Sequence, residues 1–514
     1  MGQVKTDSFI VEIPLRVTPI QEKRLPARLE AARQVYNACL GESLKRLDLL
    51  RQSKAYRRAL KAPRGKARTR ALREAKAAVG FREYDLHAYA AQFNHCWIGG
   101  HLDINTIQKL ATRAFKAVQQ YGFGKRGRPR FKGRNQMDTV EGKSNTSGIR
   151  WREKGVAWRG LELEAEIDPN DPVIAHGLSK RVKYVRLVRR KLKGRNRFYA
   201  HLVCEGQPYQ KPKNKVGEGV VGLDIGPSTM AAVSERGAFL EQFCAELEPR
   251  QREIRRLQRK IERQRRANNP DNYNPDGTIK AGPRRWRTSA RQRRTEAKLA
   301  ELYRRQAAHR KSLHGRLVNR VLGMGDRIKL EKVSYRAFQR RFGRSVGMRA
   351  PGMFVERLKR KAESAGATVV EFPTHTTRLS QTCHNCGRVV KKPLWQRWHV
   401  CECGIVAQRD LYAAFLAMCV EGERLNADHA RRVWPGADAL LQAALSDIQP
   451  ASGRPLPSSF GLGAGRRQSR SPVKADVNAV EAQDVVPSVA SGSVGESLRE
   501  TAGSLEPPGF SRGE

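Results

Sequence analysis

The sequence predicts an α+β protein of several domains: an antiparallel β-barrel brackets a helical insert, and an α/β domain with a small metal-binding insertion follows. Three observations predict it. Short apolar–polar alternations flank a long stretch of helical spacing within the first 210 residues. A second set of apolar runs, starting at Val220, carries isolated acidic residues. Two cysteine pairs fall between positions 383 and 403, inside that second region.

Ser8 to Thr18 (SFIVEIPLRVT) alternates, with Phe9, Val11, Ile13 and Leu15 on one face, and reads as a strand. From Gln21 to about Arg51 the spacing turns helical through Leu29, Val35, Tyr36, Leu40 and Leu44. The basic stretch SKAYRRALKAPRGKARTRALREAKA follows, then a second helical region from Leu86 to Tyr121. Gly122 to Gly133 (GFGKRGRPRFKG) is a basic, glycine-rich loop with aromatic residues between its charges. That composition suits either base stacking with phosphate contacts or a solvated linker. The runs GIRWRE, GVAWRG, LELEAEI, VKYVRLVRRKL and NRFYAHLVCEG supply the other strands of the barrel, which takes residues 1–20 and 126–210 and leaves 21–125 to the helical insert. KPKNKVGEG has linker composition, and the α/β domain is expected over 218–425. Within it two basic helices, around Leu247–Arg266 and Arg291–Leu322, flank the turn-rich loop NNPDNYNPDGTIKAGP as a helical hairpin. Residues 426–514 form a C-terminal extension, expected to be disordered from about residue 449, where Ser, Gly, Pro, Ala and Glu dominate without periodicity.

Lysine and arginine number 99 against 50 acidic residues, a formal net charge of +49 over 514 residues. A surplus of this size points to nucleic acid, because each phosphate neutralised releases condensed counterions. The length suits about three to four domains at ~100–200 residues each, not a small ribosomal-type basic protein. Of nine cysteines, Cys39, Cys96, Cys204, Cys244 and Cys419 are scattered singly, as free buried thiols are. This predicts a reducing, cytoplasmic compartment and no disulfide framework. The opening MGQVKTDSFIVEIPLRV has no signal pattern, and the chain has no apolar run of ~18 residues, so neither secretion nor membrane spanning is expected.

VVGLDIGPSTMAAVSE places Asp224 in an apolar strand, followed by a turn at Gly226 and a second apolar run from Met230. This is how the first hairpin of an RNase-H-like fold reads; sugar-kinase and actin-type folds open with the same pattern. A second apolar strand, RIKLEKVSY, carries Glu331, and Asp410 opens the helical segment RDLYAAFLAMCV. Singly, Glu331 reads as a strand-end charge and Asp410 as a helix N-cap. In the order strand-Asp, strand-Glu, helix-Asp, the three form a set able to hold two Mg²⁺ or Mn²⁺ ions about 3.5–4 Å apart for phosphodiester hydrolysis. Cys383-x-x-Cys386 and Cys401-x-Cys403, with fourteen residues between the pairs, are expected to bind Zn²⁺ as a zinc ribbon over 380–405. The second pair is one residue tighter than C-x-x-C, which leaves open a distorted knuckle or His399 in place of one thiolate.

The segments VVGLDIG, IKLEKVSY, TTRLSQTCHNCG, CECG and QRDLYAAF, with RLEAARQVYNACL and GKRGRPRFKG upstream, resemble the TnpB family. These are transposon-associated relatives of the small type V CRISPR effectors. The resemblance covers roughly residues 5–425. It implies an N-terminal wedge-like barrel with an inserted helical recognition lobe, then a RuvC-like nuclease domain with a zinc-ribbon insertion. It implies an RNA-guided, Mg²⁺-dependent DNA endonuclease with catalytic Asp224, Glu331 and Asp410. Its partners would be a guide RNA and a double-stranded DNA target with a short flanking motif, and its setting a bacterial or archaeal cytoplasm beside the nucleoid. Gln408 stands where the family commonly has an acidic residue, and Tyr412 where it often has Asn. Both departures keep a second reading in view, a guided DNA-binding protein with weak or no cleavage; a transposition accessory protein is a third. The pattern fits a transposon-borne protein and a CRISPR effector alike.

Overall fold

The structure is a computed structural model and describes residues 6–247, 250–448, 456 and 458–462. It divides into two compact units. One holds the residues up to Lys211 together with Gln251–Leu302; the other holds Pro212–Arg250 and the residues from Tyr303 onward.

In the first unit, β1 (Ser8–Arg16) buries Phe9, Val11, Ile13 and Leu15 in strict alternation. Thr18 then caps α1 (Pro19–Gln52) through a capping box with Gln21, so the helix starts just ahead of its apolar spacing. The basic stretch folds as α2 (Lys54–Lys61) and α3 (Lys66–Ala78). The second helical region is α4 (Glu83–Ala91) and α5 (Ile104–Gly122), with two 3-10 turns between them. Gly99 shows why the helix breaks: a Cβ there would lie 2.1 Å from the Asn94 carbonyl oxygen.

The strands β2 (Thr139–Glu141), β3 (Arg150–Arg152), β4 (Gly155–Trp158), β5 (Leu161–Ala165), β6 (Val182–Leu192) and β7 (Arg195–Glu205) join β1 in one antiparallel sheet. Its order is β2-β6-β7-β1-β5-β4-β3, so β2 and β3 are its ends and hydrogen bonds do not close it into the barrel expected. The sheet is curled all the same. Gly142, just past β2, packs against the Ile149 carbonyl just before β3, where a Cβ would come within 2.7 Å. The unit also holds α6 (Pro172–Leu178), α7 (Gln251–Asn268) and the part of α8 (Ala290–Met324) up to Leu302. Helix α7 buries Ile254, Leu257 and Ile261. The loop after it is tied by Asn269, whose amide donates to the Arg265 and Arg287 carbonyls at 2.8 and 2.9 Å.

The second unit is built on a five-stranded sheet of order β10-β9-β8-β11-β12. Its strands are β8 (Val220–Ile225), β9 (Thr229–Ser234), β10 (Gly237–Gln242), β11 (Arg327–Lys332) and β12 (Thr368–Pro373). The first three pair antiparallel; β8, β11 and β12 run parallel. Helices α9 (Tyr335–Arg349), α10 (Pro351–Ser364) and the short α11 (Thr374–Thr377) follow β11 and β12. The ribbon strands β13 (Trp398–Val400) and β14 (Val406–Gln408) lead into α12 (Arg409–Met418), and α13 (Ala427–Ser446) comes last.

Both faces of β8 are covered, which is why it reads as one apolar run. Val221, Leu223 and Ile225 pack with Leu317 and Val321 of α8 and Phe354 and Leu358 of α10. On the other face α12 lies directly on Gly222, where a Cβ would meet the Ala414 carbonyl oxygen at 2.0 Å and the Met418 nitrogen at 2.4 Å. Gly222→Ala is therefore expected to lift α12 from the sheet, at a cost of about 3 kcal/mol. A lowered thermal transition and weaker divalent-cation binding would both report it.

Lys329 secures the far end of α12, its ammonium donating to the carbonyls of Met418 (3.1 Å) and Val420. Most of the tail expected to lack order from about residue 449 lies outside the described residues. Within it, Phe460 is 3% exposed, and the Trp398 indole donates to the Gly461 carbonyl at 3.3 Å.

Candidate active site and metal centre

The sheet register brings the first two carboxylates level. Leu223 of β8 pairs with Leu330 of the parallel β11, so Asp224 and Glu331 follow side by side at the carboxyl ends of adjacent strands. Both project to the face that Gly222 and Lys329 share with α12. Asp410, the second residue of α12, is brought over that face by the seat on Gly222 and is 9% exposed. Thr229, which opens β9, donates its hydroxyl to Asp410 at 3.1 Å, and Thr377 donates to Glu331 at 3.4 Å.

Crowding shows in the electrostatics. Burial raises the Asp224 carboxyl well above its ordinary range, and the charges of Asp410 and Glu331 push it further. Burial raises Asp410 as well, against the pull of Arg397, the Thr229 hydroxyl and Arg409. Glu331 is raised by burial, with the Thr377 hydroxyl opposing. Like charges this close bind either protons or a cation. The oxygen-only donor set suits hard divalent ions. Cation binding here should release protons and strengthen as pH rises.

Sequence reasoning missed two cations of this site. Arg397 comes from the ribbon and sits 3.9 Å from Asp410, where no spacing signal marks it. Arg409, adjacent to Asp410, is fixed by bonds to the carbonyls of Pro393 (3.0 Å) and Gln396 (3.3 Å). Gln408 caps α12, its Oε1 accepting the Leu411 N–H at 2.8 Å, while among the described residues its buried Nε2 has no hydrogen-bond partner. An acidic side chain could make the same cap, so the departure at Gln408 changes charge and not helix geometry.

The four cysteines converge. Among the described residues, Cys383, Cys386, Cys401 and Cys403 place their sulfurs within 4.8 Å of one another. Cys383 and Cys403 are 3.5 Å apart, Cys386 and Cys401 3.4 Å. Each pair ends in a glycine with left-handed φ, Gly387 at 74° and Gly404 at 92°, which lets the chain turn back over its thiols. The Gly387 and Gly404 N–H groups donate to the carbonyls of Cys383 and Cys401, both at 3.0 Å. Burial drives the Cys401 thiol up to about 12. Burial pushes Cys403 up too, but the Ile405 N–H and the Cys383 and Cys401 thiols bring it down to about 6. Four sulfurs in this arrangement could bind zinc.

The three carboxylates are not drawn into so tight a group. His399 also stands outside the thiol group. It is buried, its ring stacks on Tyr412 at 4.3 Å, and burial lowers it to about 4.

The segment from α10 to α12 thus holds four thiols, Arg397 and Asp410. Residues 352–416 match the Cas12f1-like TNB domain family. Among solved structures, the chain is similar to a Cas12f1–sgRNA–target DNA complex at 10% identity and a TM-score of 0.42, covering 80% of this chain and 98% of that one. A CRISPR–Cas12f ternary complex gives 12% identity and a TM-score of 0.24, over 75% and 80%. Both likenesses are loose. No curated protein matches the sequence. Among the described residues no helix is long and apolar enough to cross a membrane.

Proposed function

We propose that the chain is an RNA-guided DNA endonuclease of the TnpB and compact type V kind, with Asp224, Glu331 and Asp410 as ligands of two Mg²⁺ ions in a RuvC-like site. One observation carries the reading: Asp224 and Glu331 stand level on parallel strands beneath a helix whose Asp410 lies within the Cas12f1-like TNB match. The sheet, three antiparallel strands followed by two parallel ones, supports an RNase-H-like domain. In this reading residues 218–425 are the nuclease domain, 380–405 the zinc ribbon, 1–20 and 126–210 the wedge, and 21–125 the recognition lobe.

When bound, the ions would activate the attacking water and stabilise the leaving oxygen. The chain's own residues do the rest. Asp224, on the central strand of the sheet, would be a ligand of both ions, with Glu331 and Asp410 each completing one. Thr229 and Thr377 hold the flanking carboxylates by hydrogen bonds. Arg397 offers a cation beside Asp410 to a phosphate entering the site.

The first unit supplies a surface for nucleic acid. In the loop at 122–133, Lys125, Arg126, Arg128 and Arg130 are exposed between Phe123 and Phe131, which are 58% and 57% exposed. The loop is pinned to α1, since the Lys132 carbonyl accepts from Asn37 at 2.9 Å and from Arg33 at 3.1 Å. A pinned basic loop with bare aromatic rings supports stacking and phosphate contact better than a solvated linker does.

Sequencing the RNA that copurifies with the chain tests the reading. One discrete RNA with a constant scaffold is expected; a transposon-end RNA marks the TnpB kind and a repeat–spacer RNA the CRISPR kind. No bound RNA would overturn guidance. Gln408, neutral where the resembling family is commonly acidic, favours a second reading as a guided binder that cuts slowly. Faster cutting by Gln408→Asp than by a slow wild type would support that one.

A further inference from the structure

We infer that Tyr412 is a positioning residue that makes the thiol ribbon a buttress of the carboxylate site, so that metal at the four cysteines strengthens cation binding at Asp224, Glu331 and Asp410. The inference rests on the reading of those three residues as metal ligands.

Asp410 and Tyr412 are two residues apart on α12, so they point to nearly opposite sides of the helix. Asp410 faces the sheet. Tyr412, 1% exposed, faces the ribbon. Its hydroxyl accepts the His384 backbone N–H at 3.0 Å and lies 2.7 Å from His384 Nδ1. The other side of its ring is covered by His399, stacked at 4.3 Å. His384 sits between Cys383 and Cys386, and His399 two residues before Cys401. Both arms of the ribbon therefore close on one side chain.

The two arms reach α12 differently. The Cys401–Cys403 arm runs into it through β14, and the Arg409 N–H donates to the Arg397 carbonyl at 2.8 Å. The Cys383–Cys386 arm lies 26 residues upstream and meets α12 through the Tyr412 hydroxyl and the packing of His384 on Phe415, while Trp434 of α13 covers the same ring. Arg431 of α13 also donates to the Asn385 carbonyl, at 3.1 Å. Drawing the four sulfurs together on a metal fixes His384, hence the Tyr412 hydroxyl, hence the rotation of α12 about its axis. That rotation sets where Asp410 points. Among the described residues the buried ring nitrogens of His399 have no hydrogen-bond partner, and the ring stacks on Tyr412. Outer partners of metal ligands commonly change metal affinity by about 10–100-fold.

The test uses the full-length chain with Mn²⁺ as probe, an ion that prefers oxygen to thiolate. Free Mn²⁺ is counted by electron paramagnetic resonance, with the ribbon zinc-loaded or stripped, and Asp224→Ala defines the carboxylate-site component. In wild type, stripping zinc is expected to weaken that component about tenfold. Tyr412→Phe keeps the ring and loses the hydroxyl. It should retain its zinc, bind Mn²⁺ about tenfold more weakly than wild type, and lose little more when stripped. By linkage, zinc binding in wild type should tighten with Mn²⁺ present by the same factor, and in Tyr412→Phe it should not.

If Tyr412→Phe loses its zinc or its cooperative melt, His384→Gln takes its place, leaving Tyr412 intact and removing its imidazole partner. Mn²⁺ binding unchanged by Asp224→Ala overturns the carboxylate reading and this inference together. Asp224-dependent binding that ignores zinc in wild type, or responds to zinc equally in the variant, overturns this inference alone.

Discussion

Asp224→Ala is expected to lower cleavage of a guide-matched duplex by at least about 10⁴-fold while leaving guided DNA binding intact. Asp224 lies beside Glu331 in the sheet and under Asp410 of α12, and its own carboxyl is pushed up by burial and by both neighbours. Losing a residue shared by two ions removes several kcal/mol of transition-state stabilisation, and each ~1.4 kcal/mol is a tenfold change in rate. Binding comes mainly from phosphate contacts spread over a chain of net charge +49 and should scarcely change. The same variant has a second expected effect. A carboxyl raised on folding stabilises the fold below its unfolded pKa, and that stabilisation is lost as pH climbs through the raised value. Without divalent ions, wild type should thus lose stability towards alkaline pH, and Asp224→Ala should lose less. Added Mg²⁺ should restore wild type and leave the variant unmoved in a thermal melt.

Cys383→Ser should cost more than any other single ligand change in the ribbon. Cys383 is 1% exposed, whereas Cys386 is exposed and Cys401 and Cys403 are intermediate. Serine there offers a poor zinc ligand in a buried position. Structural zinc supplies much of the folding energy of a module this small, about 10–16 kcal/mol in isolated finger peptides. Metal analysis should find close to one zinc per wild-type chain and almost none in Cys383→Ser. Amide exchange should then accelerate throughout residues 380–408. A well-protected ribbon without zinc would contradict this.

Periodicity and order carried much of the fold and of the candidate site into the sequence. The alternation of Phe9, Val11, Ile13 and Leu15 is β1 as built, because a strand with one buried face has no other way to be written. Asp224 and Glu331 were legible because each ends an apolar run, and an acidic residue there costs too much to be casual. Their side-by-side register was not legible, since parallel pairing joins strands about 100 residues apart.

Other features depend on contacts that leave no local pattern. Arg397 lies among ribbon tryptophans with nothing in its neighbours to mark it. The 3-10 breaks near Gly99 come from backbone packing that helical spacing does not report. Tyr412 showed in the sequence only as a departure from Asn. Its meaning came from His384 and His399, brought to it by the cysteines. Cys96, grouped with the buried thiols by its spacing, is exposed.

The most direct test of the account is programmed cleavage. Wild type carrying one guide RNA is given two duplexes, one matched and one not, with Mg²⁺ and with chelator. The account predicts cutting of the matched duplex alone, only with Mg²⁺, and a switch to the other duplex when the guide is exchanged. Equal cutting of both duplexes, or none with the RNA that copurifies, would contradict it.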